Sequence, residues 1–327
     1  MSNIDVEILR SFYENPDNYF SGEDIARKLG LSRTAIWSHI QELKAAGLPI
    51  EAVPNLGYKL LGQSPNLIAA DIKAQLNTRI IGREVLVFQE TDSTQRIVEQ
   101  FARDGVAEGL VVFAENQKQG KGRLGRKWVS PAKSGLWFST LLRPGWRPDK
   151  VTRLTVLAAV AIMRAIENET GLEIEIKYPN DLMIKGRKLC GILAEMLTEV
   201  DYVQYVVLGI GINVNTLLSD YPDEIQPIVT SLRIATGEIF GRSLLAAKVL
   251  SSLDHVYREV QNKGFSTIAE EWSDRCSTLG KKITAIFGNE KVRGTAIAID
   301  EEGALVIQMD DGTIKTLRGG DITLEKE

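Results

Sequence analysis

The amino-acid sequence predicts an α+β protein of three successive units, and three observations carry that reading. Short helical periods followed by a hairpin fill about the first sixty residues. Apolar strands alternate with amphipathic helices through the middle, and five short strands crowd roughly the last fifty residues. A chain of 327 residues is long enough to bury two or three cores. Its 44% hydrophobic and 25% charged residues are ordinary for a globular protein. The net charge of −4 means that any contact with nucleic acid has to come from a local patch. Cys190 and Cys276 have neither metal nor redox spacing, as expected for a reducing compartment. The longest uncharged apolar run, Leu154 to Met163, is half a membrane span, and the first residues have no signal-peptide pattern. A cytoplasmic protein without a membrane segment is expected.

Residues 1–62 form the first unit. Asp5 to Tyr13 carries a helical apolar face of Val6, Ile8, Leu9 and Phe12. Ser21-Gly22-Glu23-Asp24 opens a short helix with Ile25 and Leu29 inward, and Gly30 stops it. Ser32 caps a second helix running through Ala46, with Ala35, Ile36, Ile40 and Leu43 on the buried face. Ile50 to Val53 and Tyr58 to Leu61 then read as a hairpin around Pro54-Asn55-Leu56-Gly57. Two helices joined by a glycine turn and followed by a β-wing make a winged helix-turn-helix. Its second helix would offer Ser32, Arg33, Thr34, Trp37, Ser38 and His39 to the major groove of DNA. The first sixty residues hold six Lys/Arg against eight Asp/Glu, but Ile25 to Ala46 holds four cations and one acid. A weakly basic reader makes few phosphate contacts per subunit, which favours a dimer on a two-fold site.

Gly62 to Asn66 is a polar join, after which residues 66–276 form the central unit. A helix is expected from Asn66 to about Leu76, a strand from Glu84 to Gln89, and then Thr91-Asp92-Ser93-Thr94-Gln95 leading into a helix with Ile97, Val98 and Phe101 inward. Ser93 and Thr94 suit simple N-capping, yet their place at a strand end leaves room for a binding role. Leu110 to Phe113 reads as a buried strand. Gly135 to Arg143 alternates like a strand, and Asp149 to Glu169 is a long amphipathic helix whose period is core packing. Ile174 to Lys177 is a short strand ending at Tyr178-Pro179-Asn180-Asp181. A hairpin of Leu182 to Ile184 and Lys188 to Thr198 follows, and then an apolar strand from Tyr202 to Asn213. Gly209-Ile210-Gly211 in that strand suits close approach of backbone to a ligand, or tight packing. Leu244 to Val260 and Phe265 to Arg275 read as closing helices.

The most informative stretch runs from Ala114 to Trp128. Gly120, Gly122 and Gly125 fit G-x-G-x-x-G, but a dinucleotide fingerprint of that form opens directly into a helix. Here Arg126-Lys127-Trp128-Val129-Ser130-Pro131 follows, with no helical period and a proline, so this is not a Rossmann turn. From Ala114 to Lys133 there are six basic residues and one acid, Glu115. Backbone N–H groups freed by glycine, interleaved with guanidinium and ammonium groups, make a cradle for phosphate or pyrophosphate.

Residues 277–327 form the last unit, with strands at Ile283 to Phe287, Val292 to Ile299, Ala304 to Met309, Ile314 to Leu317 and Ile322 to Leu324. Turns at Gly288-Asn289, Asp300 to Gly303, Asp310 to Gly312 and Gly319-Gly320 separate them. That density of short strands reads as a small SH3-like barrel.

Taken together, Thr91-Asp92-Ser93-Thr94, Gln117, Gly120-Lys121-Gly122-Arg123, Trp128, Lys177-Tyr178-Pro179-Asn180-Asp181, Lys188-Leu189-Cys190-Gly191-Ile192 and Gly209 to Asn213 resemble the signature of biotin protein ligases. With the N-terminal winged helix, the chain resembles the bacterial members that are both ligase and biotin-operon repressor. The resemblance implies a class II synthetase-like mixed sheet for the central unit. It also implies two reactions: formation of biotinyl-5′-AMP from biotin and ATP, with Mg²⁺ on the phosphates, and transfer of biotin to a lysine of a biotin carboxyl carrier protein. Carried over by position, the biotin site comprises Ser93, Thr94, Gln95, Gln117, Lys121, Gly122, Arg123 and Lys188. ATP falls to Gly120, Lys121, Arg123, Arg126, Trp128, Asn180 and Asn213. Catalysis falls to Arg123 and Lys188, with Asp181 orienting the acceptor lysine or serving only as a turn residue. No residue set reads as a protein-held metal site. Biotinyl-AMP as corepressor, a homodimer and operator DNA complete the expectation. Three departures stand out: Lys121 where the family has arginine, Gln95 where it has asparagine, and Tyr178 where it has tryptophan. Lysine cannot make arginine's planar two-pronged contact. Two other readings remain, a ligand-sensing repressor without turnover and a lipoate-type ligase on the same fold. A P-loop NTPase is excluded, because no G-x-x-x-x-G-K-[ST] occurs.

Overall fold

The computed structural model describes residues 3–199, 201–287, 290–317 and 321–324. In the N-terminal unit α1 (Asn3–Glu14), α2 (Gly22–Leu29) and α3 (Arg33–Ala45) precede a hairpin of β1 (Ile50–Val53) and β2 (Gly57–Leu60). The caps are those the sequence signals. Ser21 Oγ accepts the Glu23 N–H, Gly30 closes α2 in the left-handed region, and Ser32 Oγ accepts the Ala35 N–H. Val6, Ile8, Leu9 and Phe12 of α1 pack on Ile25, Ile36, Ile40 and Leu43, as their helical spacing requires.

The join departs from expectation. No helix begins at Asn66; α4 is confined to Ala69–Ala74. Asn66 instead donates its side-chain amide to Ala46 O at 3.1 Å, and the Leu67 N–H goes to the Glu115 carboxylate at 2.7 Å. Ile68 is extended (φ −128°, ψ 119°), so the helix opens only after it, at Ala69. Ile68, Ala70 and Ala74 join the hydrophobic core of the winged helix.

The central sheet has seven strands: β3 (Glu84–Phe88), β4 (Leu110–Ala114), β5 (Leu136–Leu142), β6 (Glu175–Lys177), β7 (Asp181–Ile184), β8 (Arg187–Glu199) and β9 (Tyr202–Ile212). Their order is β3-β4-β5-β9-β8-β7-β6, parallel only between β3 and β4. The remaining helices are α5 (Thr94–Arg103), α6 (Thr152–Thr170), α7 (Leu232–Thr236), α8 (Arg242–Lys263) and α9 (Ser266–Asp274). α6 starts three residues later than its apolar period, because Pro148 to Lys150 form a separate turn. α7 has no counterpart in the sequence reading. Strand alternation sorts β9 to two faces. Val206, Leu208, Ile210 and Ile212 join the main core beneath α6 and α8, while Tyr205 and Val207 join a smaller cluster with Val98 and Ala102 of α5. β5 is buried along its whole length rather than alternately, since both faces are covered.

The C-terminal unit holds β10 (Lys282–Phe287), β11 (Glu290–Ile299), β12 (Leu305–Gln308), β13 (Ile314–Leu317) and β14 (Asp321–Leu324). All pair antiparallel in the order β13-β12-β11-β10-β14, so the last strand returns beside the first. Among the described residues the ladder is open between β13 and β14. The expected turns at Gly288-Asn289 and Gly319-Gly320 lie outside the described residues.

Candidate active site

α5 covers only part of the outer sheet face. Beyond Val207, the next outward positions of β9 are Gly209 and Gly211, and Gly191 of β8 lies directly opposite Gly211. Three glycines therefore leave bare backbone where side chains would otherwise stand. The hollow above them is a cavity of about 200 Å³ roofed by the loop between β4 and β5.

The roof is a small hairpin. Lys121 pairs with Lys127, the Gly122 N–H donates to Arg126 O at 2.7 Å, and the Trp128 N–H donates to Gly120 O at 2.8 Å. A Cβ at Gly120 would stand 2.5 Å from the carbonyl oxygen of Trp128, so that position excludes any side chain. At the tip Leu124 is 70% exposed and in the left-handed region, a strain of order 1 kcal/mol or more for a branched residue. The loop rests on two supports. Its first residues run along the turn before α5, with the Lys118 N–H on Thr91 O and the Gln119 N–H on Asp92 O. Its tip meets the Tyr178–Asp181 turn, where Arg123 donates to Asn180 Oδ1 at 3.3 Å. Asn180 is itself held by a bond from its amide to Ile192 O at 2.8 Å.

Of the residues expected to bind ligand, Ser93, Thr94, Gln95, Gln117, Lys121, Gly122, Arg123, Arg126, Trp128, Asn180, Asp181 and Lys188 all line this cavity. Ser93 stands at the N-cap of α5 without a side-chain capping bond, so capping does not account for its hydroxyl. Among the described residues six cations face the hollow, Lys121, Arg123, Arg126, Lys127, Lys177 and Lys188, against one carboxylate, Asp181. Lys188 Nζ lies 2.7 Å from Asp181 Oδ1 and 5.2 Å above the Trp128 ring. Trp128 is pressed against both Gly191 and Gly211. Lys121 Nζ reaches Glu195 on β8 at 3.2 Å. Burial and the neighbouring Asp181 carboxylate push the Cys190 thiol well above the usual range, so the one cysteine near the site is not a nucleophile.

Two expected ligand residues do not line the cavity. Gly120 serves the loop backbone, as above. Asn213 is 1% exposed and donates to Thr230 O at 2.9 Å and Lys188 O at 3.4 Å, while its Oδ1 is buried without a partner. His39 is also placed differently. Its ring turns in toward α1, with Nδ1 2.8 Å from Oδ1 of the buried Asp5, so it does not join Trp37 and Ser38 on the exposed side of α3. Among the described residues the only His and carboxylate grouping tight enough for a metal is Asp5, His39 and Glu42, in the winged helix. Among the described residues near the cavity, the carboxylates Asp181 and Glu195 are each paired to a lysine.

Ser139 escaped the sequence reading. Its hydroxyl joins a polar chain: Gln117 Oε1 accepts from Thr94, Thr94 Oγ1 lies 2.8 Å from Ser139 Oγ, and Ser139 donates to Gln95 Oε1 at 2.9 Å. Gln95 ends the chain by donating to Val207 O at 3.0 Å. A serine inside an apolar strand has no local signature. Only its position opposite Gly209 gives it away.

Comparison with known proteins fits this geometry. Residues 87–213 match the Biotin/lipoate A/B protein ligase family, residues 7–59 an HTH domain, and residues 278–324 the Biotin protein ligase C terminal domain. The bifunctional ligase/repressor BirA of Bacillus subtilis strain 168 is 37% identical over 323 residues, covering 99% of both chains. The protein of the same name from Escherichia coli K12 is 30% identical over 309 residues, covering 94% of this chain and 93% of that one. Among solved structures, the Aquifex aeolicus biotin protein ligase in complex with biotin and ATP matches with a TM-score of 0.65 at 29% identity. That match covers 75% of this chain and all of the other. A winged helix, a glycine-floored cationic cavity and a small terminal sheet thus occur in one chain in the family's order, and the protein belongs to the bifunctional biotin ligase/repressor family.

Proposed function

We propose that the cavity joins biotin to AMP and then to a lysine of a biotin carboxyl carrier protein, and that the adenylate acts as corepressor. The excess of six cations over one carboxylate among the described residues around the hollow is the observation that carries this reading. Biotin's carboxylate is ionised at neutral pH, so the first step needs no protein nucleophile. A carboxylate oxygen bonds to the α-phosphorus of ATP, the bond from that phosphorus to the bridging oxygen breaks, and pyrophosphate leaves. The chemistry asks for positioning and for positive charge about the phosphoryl oxygens. Arg123, Lys121 and Arg126 on the loop and Lys188 from β8 supply it. Ser93, Thr94, Gln95 and Gln117 hold the polar rings of biotin, Trp128 covers the adenine, and Asn180 positions the nucleotide, while Asn213, buried behind the cavity, braces the backbone of Lys188 and Thr230. Mg²⁺ enters as part of the ATP substrate.

In the second step the acceptor amine attacks the acyl carbon, the carbon–oxygen bond to AMP breaks, AMP leaves, and the amine's proton passes to solvent water. Asp181 orients that amine once Lys188 has turned to the phosphate. In the three-part division of the chain, residues 1–62 read a palindromic operator through Arg33, Thr34, Trp37 and Ser38, with Ser32 at the helix start. Residues 66–276 perform the chemistry and 277–327 complete the ligase. The adenylate orders the loop and favours a homodimer that sets two winged helices on one site.

The test is to incubate the protein with biotin, ATP and an apo carrier domain and weigh the product. A biotinyl increment on the acceptor supports the reading. A lipoyl increment with lipoate and none with biotin, or no turnover at all, overturns it.

A further inference from the structure

The root of the glycine loop and the winged helix share one buried polar node. Glu115 and Arg242 form a two-pronged ion pair at 2.6 and 3.0 Å, each side chain 2% exposed. Among the described residues no other ion pair has both side chains so deeply buried. Glu115 is the residue at which β4 passes into the loop. Its carbonyl oxygen accepts the Lys133 N–H at 3.2 Å, and Arg242 donates to Gly135 O at 3.2 Å, so both ends of the loop meet the pair. The same two side chains grip the join at two points: Arg242 donates to Pro65 O at 2.6 Å, and Glu115 Oε1 accepts the Leu67 N–H at 2.7 Å. The residue between, Asn66, donates its amide to Ala46 O at 3.1 Å, the C-cap of α3. Three consecutive residues therefore lead from the loop root to the end of the helix expected to read DNA.

We propose that this path, Glu115–Arg242 to Leu67 to Asn66 to Ala46, couples occupancy of the cavity to the setting of α3. The proposal rests on the reading above that the adenylate promotes operator binding, and it names the residues that carry the effect. A buried, fully bonded ion pair moves as a unit, because separating its members strands a charge away from water. A shift of either loop end on ligand closure is thereby passed to the join as a displacement of Pro65 and Leu67. Asn66 converts it into a displacement of the last turn of α3. Asn66 touches neither the cavity nor the outward side of α3, so its contribution is separable from chemistry and from DNA contact. Coupling between two binding sites is reciprocal, so operator DNA must tighten the adenylate by the same factor that adenylate tightens DNA.

The experiment measures operator affinity with and without biotinyl-5′-AMP, and adenylate affinity with and without operator, for the full chain and for Asn66→Ala. Pyrophosphate release is followed alongside. The expected result is unchanged pyrophosphate release with the adenylate-dependent gain in operator affinity cut at least about fivefold in both directions of the cycle. Hydrogen exchange gives a second measurement on the unsubstituted protein, in which the Leu67 amide is expected to change protection when adenylate binds. An equal loss of operator affinity with and without adenylate identifies a merely structural cap and overturns the proposal, as does an undiminished gain. If the unsubstituted protein itself shows no gain, the repressor reading fails and the coupling with it. A gain in the unsubstituted protein that persists in Asn66→Ala removes only the coupling.

Discussion

Gly211→Ala probes the floor of the site with a single methyl group. The new Cβ would lie 2.5, 2.6 and 2.7 Å from Cε2, Nε1 and Cζ2 of Trp128. Contact between such atoms needs roughly 3.5 Å, so the indole must retreat by about 1 Å. The backbone cannot yield instead, because Gly211 is hydrogen-bonded in mid-sheet between Trp137 of β5 and Gly191 of β8. The retreat breaks the stack of Lys188 on the Trp128 ring, now 5.2 Å from nitrogen to centroid. A cation–π contact of this partly buried kind contributes about 0.5–2 kcal/mol. At 1.4 kcal/mol per factor of ten, that is a loss of roughly 2- to 30-fold in adenylate synthesis, expressed mainly in KM for ATP because Trp128 is assigned to the adenine. The assay is initial-rate pyrophosphate release across ATP concentration at saturating biotin. Gly62→Ala is the matched control, since no atom lies within 4 Å of its would-be Cβ. A Gly211→Ala protein with an unaltered KM for ATP and unaltered kcat would refute the reasoning, as would an equal effect of the control.

Other outcomes are fixed by the same geometry. Lys188→Ala and Arg123→Ala each lower pyrophosphate release by about 10²–10³, and a near-normal rate in either removes that residue from its role. Trp37, 56% exposed on α3, is free of the core. Trp37→Ala therefore leaves Tm unchanged while operator affinity falls by roughly 5- to 150-fold, the range of about 1–3 kcal/mol for one base contact; equal affinity in a gel-shift titration excludes the contact. Burial holds the Asp71 carboxyl above its usual range, against the opposing hydrogen bond from Tyr13. A raised carboxylate pKa gives stability that is present below 3.8 and lost as pH rises through the folded value. The Tm gained by Asp71→Asn is therefore smallest at the most acidic pH at which the protein folds and grows toward neutrality. A gain independent of pH sinks that assignment.

Most of the site was legible because its chemistry is clustered along the chain. Thr91 to Gln95, Gln117 to Trp128 and Tyr178 to Lys188 each place several ligand-facing groups within a few residues, and the sheet then brings the three stretches to one cavity. What failed to show depends on partners far away in sequence. His39 turns inward because Asp5, thirty-four residues earlier, waits on α1 with its carboxylate buried. Asn66 has the composition of a helix N-cap, yet the chain is still extended at Ile68 and the Asn66 amide reaches back to Ala46. Glu115 and Arg242 stand 127 residues apart, and neither has a local pattern announcing a buried pair. Ser139 looks like any strand serine until Gln95 reaches it across the sheet.

The loop that roofs the cavity is held unequally along its length, and that inequality suits a site that must admit two substrates and expel two products. At the root, Glu115 and Arg242 satisfy each other in a space nearly free of water, and Trp137 donates to Pro131 O at 3.2 Å. At the tip the contacts of Lys121 and Leu124 see water. Lys121 and Glu195 are 32% and 44% exposed, and solvated pairs of this sort contribute about 0.2–1 kcal/mol. The Arg123–Asn180 bond is long at 3.3 Å, and Leu124 is exposed in a costly conformation. Exchanging the Lys121–Glu195 pair thus costs little, whereas disturbing the root means parting a buried ion pair at about 3–5 kcal/mol. On the proposed function, ligand phosphates outcompete Glu195 for Lys121 at small expense, and residues 121–126 are expected to close over the anhydride while 115 and 135 stay bonded to Arg242. Contacts that see water are exchanged at the tip, while the root follows as one bonded unit without parting. A lysine at 121 fits that arrangement, because a single-point cation lets go of a carboxylate more readily than arginine's two-pronged grip.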